Sequence, residues 1–259
     1  MLVLLLTALP LLTALVYLRG WFRARLIGST VPVWRSVSFC LGLCSTWVAV
    51  ASPVSTFDDR MLTAHMVQHL LLMTIAPPLI WLGEPIKLLS HVLPPWLQPP
   101  PPMIERLLGH PAFCWLAAAA TLIAWHAPAM LRLGMHSQAW HLFEHFSFFA
   151  TGLLFWWPVI QPWPSKSRWS RWSILLYLFL ATLPCDVLSG LLVFSDRVVY
   201  PMYLHMPHHA SLSALEDQQC AGALMWTCVT VVFFIAGTIL SMQLLSPGNR
   251  NRELVPSKG

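Results

Sequence analysis

The chain has 259 residues, of which 57% are hydrophobic and only 10% charged, with a formal net charge of +5 at pH 7. Soluble domains carry about 25% charged residues, so this composition excludes an ordinary soluble protein and also a disordered one. One count needs a separate explanation, because the 11 histidines outnumber the 10 Asp and Glu residues together.

Hydropathy predicts an all-α fold, a polytopic bundle of seven transmembrane helices that forms a single domain over residues 1–259. A span needs about 17–25 apolar residues. Seven stretches fit this length: Leu2–Leu18, Val33–Ala51, Met61–Leu82, Ala112–Leu131, Ala139–Ile160, Trp172–Phe194 and Gln219–Leu244. The first lacks a small-residue cleavage site before its arginine-rich flank, which favours a retained anchor over a signal peptide. In the third, Pro77 and Pro78 predict a kink or break.

The basic residues predict the orientation of this bundle. Twelve of the 15 Lys and Arg residues lie in segments on one side. Because these residues accumulate in cytoplasmic loops, we expect the N-terminus outside and the C-terminus in the cytoplasm. This bias and contact with anionic membrane lipid account for the net charge without a nucleic-acid partner. On the cytoplasmic side, the run Pro99–Pro102 is typical of a polyproline II spacer.

Nine of the eleven histidines fall at or near the predicted outer face. The pairs His65/His69 and His141/His145 have i, i+4 spacing, which places both rings of a pair on one helix face. With His126, they lie within about 12 Å of the outer boundary by helical rise. Ionisable residues are costly inside a membrane, and imidazole is a common metal ligand. We therefore predict a metal site formed by these five histidines.

Further predicted metal ligands lie in the last outer loop: Met202, His205, Met206, His208 and His209. Thioethers suit Cu(I), so this loop is expected to capture metal. Predicted supporting residues are Gln68, Glu144, Asp186, Asp217 and Met225. Gln68 and Glu144 share the faces of the two histidine pairs, and Asp186 is expected to orient a ligating histidine. For Asp217, stabilisation of a helix N-terminus is an open alternative.

The residues leave other functions open. His141-x-x-Glu144-His145 matches the H-x-x-E-H pattern of zinc peptidases, in which the glutamate activates a zinc-bound water, so an intramembrane zinc hydrolase is one alternative. A protein that binds haem through two histidines is another. A metal transporter would need ligands through the whole membrane, and the inner half of the predicted bundle offers almost none.

Six blocks of sequence carry a resemblance to a known family: His65–Leu72 (HMVQHLLL), Ala76–Leu79 (APPL), Leu82–Pro85 (LGEP), His141–Phe146 (HLFEHF), Gly152–Pro158 (GLLFWWP) and Asp217–Trp226 (DQQCAGALMW). Together they resemble the CtaG family of cytochrome c oxidase assembly factors. The likeness covers nearly the whole chain, and the seven predicted spans follow the same layout.

The resemblance implies a bacterial plasma (inner) membrane protein, not an enzyme, that helps to build a copper-containing terminal oxidase. It implies copper handling on the outer, periplasmic face, with copper as Cu(I) as the expected cofactor. The expected partners are a cytochrome c oxidase subunit and other copper chaperones. By motif match, the resemblance carries functional roles over to His65, His69, His141, His145, Asp217 and Met225.

Overall fold

The structure is a computed structural model that describes residues 2–26, 28, 31–52, 60–90, 109–162, 169–205 and 212–246. No strand occurs within these ranges, which confirms the predicted all-α fold. The α-helices in chain order are α1 (Leu2–Leu26), α2 (Val33–Ala51), α3 (Leu62–Leu70), α4 (Ala76–Leu82), α5 (Pro85–Leu89), α6 (Pro111–His126), α7 (Pro128–His136), α8 (Gln138–Ile160), α9 (Arg171–Phe194) and α10 (Ala214–Leu245). A π-helix (Leu71–Ile75) joins α3 to α4, and a 3-10 helix (Pro201–His205) follows α9.

Five helical stretches are long and apolar enough to cross a membrane: Val3–Leu26, Val33–Ala51, Leu62–Leu82, Arg171–Phe194 and Ala214–Leu245. Helices α6 and α7 would make a sixth span if the pair is counted as one. Helix α8 has 23 residues, which is long enough for a span. Its sequence contains His141, Glu144 and His145, which lower its mean hydropathy. The described helices fit a multi-pass membrane protein, and the full set of seven spans stays a prediction.

The fourth predicted span, Ala112–Leu131, is wrong as one continuous helix. Helix α6 ends at His126, and α7 begins at Pro128 with a bend of 79° between the two. Ala127 between them is extended, with φ −66° and ψ 130°. A residue before proline is disfavoured in the helical region, and Pro128 is well tolerated at the first position of a new helix. The chain therefore turns sharply at the end of α6.

The first and last predicted spans, Leu2–Leu18 and Gln219–Leu244, are too short. Helix α1 continues to Leu26, and the guanidinium of Arg25 lies 4.4 Å from the centre of the Trp21 ring. Helix α10 begins at Ala214, where Ser213 and Glu216 form a reciprocal capping box. Polar residues lower the hydropathy at these helix ends, so the spans predicted from hydropathy are shorter than the helices.

The prolines of the third span are accommodated by the π-helix, so the stretch remains one span over Leu62–Leu82. Pro77 has no N–H to offer to the carbonyl of Met73 four residues earlier. That carbonyl instead accepts a hydrogen bond from Trp156 Nε1 at 3.2 Å. Gly152 makes this approach possible, because a Cβ there would lie 2.9 Å from both Met73 Cα and Pro77 Cγ. The contact fixes α8 against the span that carries His65 and His69.

Candidate metal centre

One end of the bundle gathers most of the predicted ligands, because several helices begin or end there. Helices α3, α8 and α10 begin at this end, and α6 ends there at His126. We call it the histidine end. The ring centroids of His65 and His69 are 4.2 Å apart, and those of His141 and His145 are 4.1 Å apart. Each i, i+4 pair therefore presents its two rings on one face of its helix.

Three side chains, His65, His69 and Glu144, form what we call the His/Glu centre. Nε2 of His65 lies 3.4 Å from Oε1 of Glu144, and Nε2 of His69 lies 3.3 Å from the same oxygen. The candidate ligand atoms of the three residues all lie within 4.8 Å of one another. His65 and Glu144 are fully buried, and His69 is 6% exposed. A single metal ion has room to reach one donor atom from each residue.

Most of the buried polar atoms around the His/Glu centre lack hydrogen-bond partners within the described part of the chain. Ten of the fourteen buried, unpartnered side-chain N and O atoms there belong to His65, Gln68, His69, His126, Glu144 and His145. Each buried polar group left unpaired costs about 1–3 kcal/mol, and a buried carboxylate without a partner costs more. A bound cation would engage the nitrogen and carboxylate lone pairs together. Apart from the ion-pair contacts of Glu144 Oε1 with His65 and His69, these atoms have no partner among the described residues, and together they are the donors that a metal ion would need.

Three more histidines surround the His/Glu centre at similar distances. The ring of His126 lies 6.5 Å from that of His69, and the ring of His145 lies 6.0 Å from it. The ring of His141 lies 6.1 Å from that of His65. All five histidines predicted within the spans thus occur in one layer, supplied by α3, α6 and α8.

The tautomer of His126 is fixed by the backbone. Its Nδ1 lies 2.7 Å from the carbonyl oxygen of Leu122, which can only accept, so Nδ1 carries the proton. Nε2 therefore keeps its lone pair, and it is buried without a hydrogen-bond partner among the described residues. An imidazole that donates one N–H to a backbone carbonyl and keeps the other nitrogen free is typical of a metal ligand.

Asp217 caps the N-terminus of α3, which is the helix that carries His65 and His69. Its carboxylate accepts hydrogen bonds from the backbone N–H of Leu62 at 2.6 Å, from the N–H of Thr63 at 3.2 Å and from Thr63 Oγ1 at 2.6 Å. These N–H groups belong to the first turn of α3, where the helix leaves them unpaired. Asp217 thus connects α10 to the start of α3, one turn before His65.

Glu144 occupies a more central place than the supporting role predicted for it. The carboxylate extends from α8 towards the two histidines of α3, and Gly134 of α7 lies directly against it. A Cβ at Gly134 would overlap Glu144 Oε2. The absence of a side chain at this position leaves the space that the carboxylate fills. No periodicity in the sequence predicts this contact, because it depends on the sharp turn between α6 and α7.

The other predicted residues lie apart from the His/Glu centre or outside the described residues. Met202 is half-buried and packs against the apolar cluster that contains Met225, which is itself 3% exposed. Asp186 is half-buried on α9, and no hydrogen bond or ion pair to a histidine is described for it. His205 ends the 3-10 helix, but its side chain is not described. The remaining ligands predicted for the loop lie outside the described residues: Met206, His208 and His209.

Comparisons with known proteins agree with the resemblance in the sequence. A family model described as cytochrome c oxidase caa3 assembly factor (Caa3_CtaG) matches residues 15–246. An uncharacterised protein of Mycobacterium leprae (strain TN) is 26% identical over 244 residues, which cover 88% of this chain and 36% of the relative. An uncharacterised protein of Mycobacterium bovis (strain ATCC BAA-935 / AF2122/97) is 26% identical over 231 residues, which cover 83% of this chain and 34% of the relative. The chain thus spans about a third of the length of these curated relatives. No solved structure matches it significantly.

Proposed function

The chain belongs to the cytochrome c oxidase caa3 assembly factor family, and we propose that it serves this assembly by binding copper within the membrane and passing it to an oxidase subunit. The observation that carries the proposal is the His/Glu centre, with its buried donors and their lack of hydrogen-bond partners among the described residues. The protein acts as a metallochaperone, and its residues bind and release an ion rather than transform a substrate.

The donor set suits copper. Imidazole nitrogen binds copper, zinc, iron and nickel, so His65 and His69 provide the core of the site. Glu144 contributes an oxygen donor and a negative charge, which offsets the charge of the ion in a low-dielectric environment. We propose Cu(I) as the transferred form, held mainly by the two imidazoles. Because entry and exit then involve no change of oxidation state, no further redox partner is required.

The surrounding histidines provide a way for copper to leave. Three more imidazoles have ring centroids 6.0–6.5 Å from those of His65 or His69: His126, His141 and His145. Stepwise exchange of one imidazole for the next moves an ion without releasing it into the apolar bundle. We propose that His141, which is half-buried, is the outermost of these ligands. The loop ligands Met202, His205, Met206, His208 and His209 would then capture or pass on the ion.

The proposed orientation places the histidine end at the outer, periplasmic face of the bacterial plasma membrane. It rests on the Lys and Arg distribution across seven spans. Copper would arrive there from other copper chaperones and leave to an oxidase subunit. In this orientation, the site lies close to the aqueous phase but within the bundle, where a protein partner can reach the helix ends.

The geometry favours copper binding over the two alternatives. In a zinc hydrolase built on His141-x-x-Glu144-His145, both histidines would hold the metal and the glutamate would face a water. Here the Glu144 carboxylate lies instead beside the histidines of α3. For haem, the cavity beside His69 and His126 is about 60 Å³, room for only a few water-sized groups and too small for a porphyrin.

The test is anaerobic copper binding by the full chain purified in detergent, followed by metal analysis and an optical spectrum. The double variant His65→Ala/Glu144→Gln is expected to lose the ion of the His/Glu centre. His136→Ala, an exposed histidine outside the layer, is the matched control and should retain it. Unchanged copper content in the double variant would overturn the proposed site. A Soret band, or zinc together with peptidase activity that Glu144→Gln abolishes, would favour an alternative function.

A further inference from the structure

A small cavity of about 60 Å³ lies inside the bundle, next to the His/Glu centre. Its walls come from α3, the π-helix, α6, α8, α9 and α10. They are mostly apolar, yet His69 and His126 line it together with four sulfur-containing side chains: Met66, Met73, Cys185 and Met225. His69 belongs both to this cavity and to the His/Glu centre. The two spaces are therefore neighbours that share one imidazole.

His126 gives the cavity an unused metal-binding atom. The side chain is 6% exposed, and its Nδ1–H donates a hydrogen bond to the carbonyl oxygen of Leu122 at 2.7 Å. Nε2 retains its lone pair and has no hydrogen-bond partner in the described chain. The mostly apolar wall offers this nitrogen no hydrogen-bond partner, and burial of an unpaired polar atom costs free energy. A bound ion would satisfy it.

The sulfur side chains come from separate elements rather than from one helical stripe. Met66 lies on α3, Met73 on the π-helix, Cys185 on α9 and Met225 on α10. Met66 and Met225 are only 2% and 3% exposed and belong to one buried cluster with Cys185. The sulfur of Cys185 already lies 3.8 Å from Ser189 Oγ, as one partner of a hydrogen bond. Met73 is only half-buried and packs against two other apolar clusters, so the fully buried thioethers of Met66 and Met225 are the soft donors that we consider.

We propose that this cavity is a second metal site that is selective for Cu(I), with Nε2 of His126 and the thioether sulfurs of Met66 and Met225 as its ligands. Thioethers suit Cu(I) and are poor ligands for harder divalent ions. The three ligands are neutral, so binding requires no proton release and no change of oxidation state. The inference rests on the proposed copper function and deepens it, because His69 offers a route between the two sites.

The two sites differ in softness, and this difference makes them separable. The His/Glu centre offers nitrogen and oxygen donors, which bind Zn(II) as well as copper. The cavity offers one nitrogen and two thioethers. The full chain should therefore take up one more equivalent of Cu(I) than of Zn(II). If the chain bound copper through the His/Glu centre alone, the two ions would show the same stoichiometry.

The test is an anaerobic titration of the full chain in detergent with Cu(I), against a chromophoric Cu(I) chelator, and separately with Zn(II). Met66→Leu/Met225→Leu should lose the second Cu(I) equivalent and keep its Zn(II). The matched control is Met242→Leu, because Met242 lies on α10 like Met225 but is 66% exposed. Equal numbers of Cu(I) and Zn(II) equivalents in the unmodified chain, or no loss of Cu(I) in the double variant, would overturn the second site.

The variants also separate this inference from the proposed function. His65→Ala/Glu144→Gln should lose one equivalent of Zn(II) and one of Cu(I), while the Cu(I) of the cavity stays. If it instead lost nothing, the proposed centre would fail independently of the cavity. Because Met→Leu conserves volume, thermal unfolding should change little. Should the double variant not fold, X-ray absorption of the copper-loaded unmodified chain decides: sulfur in the coordination shell supports the site, and only nitrogen and oxygen refutes it.

Discussion

Two sets of buried polar side chains, one towards each end of the bundle, differ in whether they have hydrogen-bond partners. At the end opposite the histidines, Tyr17 O–H donates to the carbonyl of Gly83 at 2.8 Å, and Tyr177 O–H donates to that of Phe155 at 2.8 Å. Trp81 Nε1 there donates to the carbonyl of Leu153 at 2.8 Å. At the histidine end, the buried side chains of Gln68 and Glu144 have no hydrogen-bond partners among the described residues.

The first set joins helices to one another, whereas the second lies in the proposed metal site. Each bond at the first end joins two elements, and such a bond contributes about 0.5–1.5 kcal/mol. A buried polar network that is only partly satisfied is worse for stability than an apolar core. The histidine end therefore weakens the metal-free fold locally. We therefore expect similar substitutions in the two sets to have opposite effects on stability.

The largest effect is expected for Asp217→Ala, because Asp217 is a structural group located at the histidine end. The variant removes three hydrogen bonds to the first turn of α3. A carboxylate at a helix N-terminus and its charge-assisted bonds together make a loss of about 3 kcal/mol reasonable. Thermal unfolding in detergent measures the loss, and copper affinity should fall with it because α3 carries His65 and His69.

Glu216→Ala is the control for Asp217→Ala. Glu216 is the neighbouring carboxylate, but it is exposed, and among the described residues its side chain bonds only to Ser213 in the capping box of α10. Its removal should cost about 1 kcal/mol or less and leave copper binding unchanged. Equal losses in the two variants would show that Asp217 does not connect α10 to α3, and would contradict the distinction between structural groups and proposed ligand-binding groups.

The next effect is expected for Gly152→Ala at the π-helix. The new Cβ would lie 2.9 Å from Met73 Cα, Met73 O and Pro77 Cγ, so two backbones would have to separate. Overpacking of this kind costs about 1–3 kcal/mol. Thermal unfolding should show the loss, and the hydrogen bond from Trp156 to Met73 should weaken.

Gly190→Ala is the matched control for Gly152→Ala, because a Cβ at Gly190 would have no atom within 4 Å. Replacing a glycine inside a helix by alanine stabilises it by about 0.5–1 kcal/mol. The two glycine substitutions should therefore shift the unfolding temperature in opposite directions. The same sign for both would mean that Gly152 is not a close-contact position.

A smaller effect, confined to the site, is expected for Gly134→Ala. The new Cβ would displace the Glu144 carboxylate, which is the end of a flexible side chain, so the fold should lose little stability. Copper affinity should fall by roughly tenfold, as expected when a group that positions a ligand is lost. Titration of Cu(I) against a competing chelator measures it. Gly237→Ala, where the nearest atom lies at 4.0 Å, should leave the affinity unchanged, and a drop in both variants would contradict the role of Gly134.

The sequence alone predicts the elements of this site better than its contacts. The i, i+4 spacing of His65/His69 and His141/His145 is enough to place each pair on one face, because helical periodicity is local. The resemblance to the CtaG family is likewise carried by local blocks, and the family match confirms it. The continuous apolar stretches of about 20 residues predict a helical membrane protein, since a segment of this length crosses the bilayer as a helix and satisfies its own backbone.

Contacts between distant helices are not accessible in this way. That Glu144 lies between the histidines of α3 depends on how α8 packs against the π-helix, and the spacing of α8 alone does not reveal it. The turn at Ala127 has a local signal in Pro128, but hydropathy averaged over the segment conceals it. Gly134 becomes important only because this turn directs α7 against Glu144. The tautomer of His126 likewise depends on a hydrogen bond to the backbone carbonyl of Leu122, which the residue types alone do not predict.

The smallest effect is expected for Gln68→Leu, and its sign is the most direct test of the contrast between the two ends. The Gln68 side chain is fully buried, and neither polar atom of its amide has a hydrogen-bond partner among the described residues. Replacing it by an apolar group of similar size should stabilise the metal-free chain by about 1 kcal/mol, because an unsatisfied amide is removed. Tyr177→Phe, which also removes a buried polar group, should destabilise the chain by a similar amount, since the helix loses its bond to the Phe155 carbonyl. Thermal unfolding of both variants without metal should therefore give shifts of opposite sign. If Gln68→Leu also destabilised the chain, its amide would be structural, and the histidine end would owe its polar residues to folding rather than to a ligand.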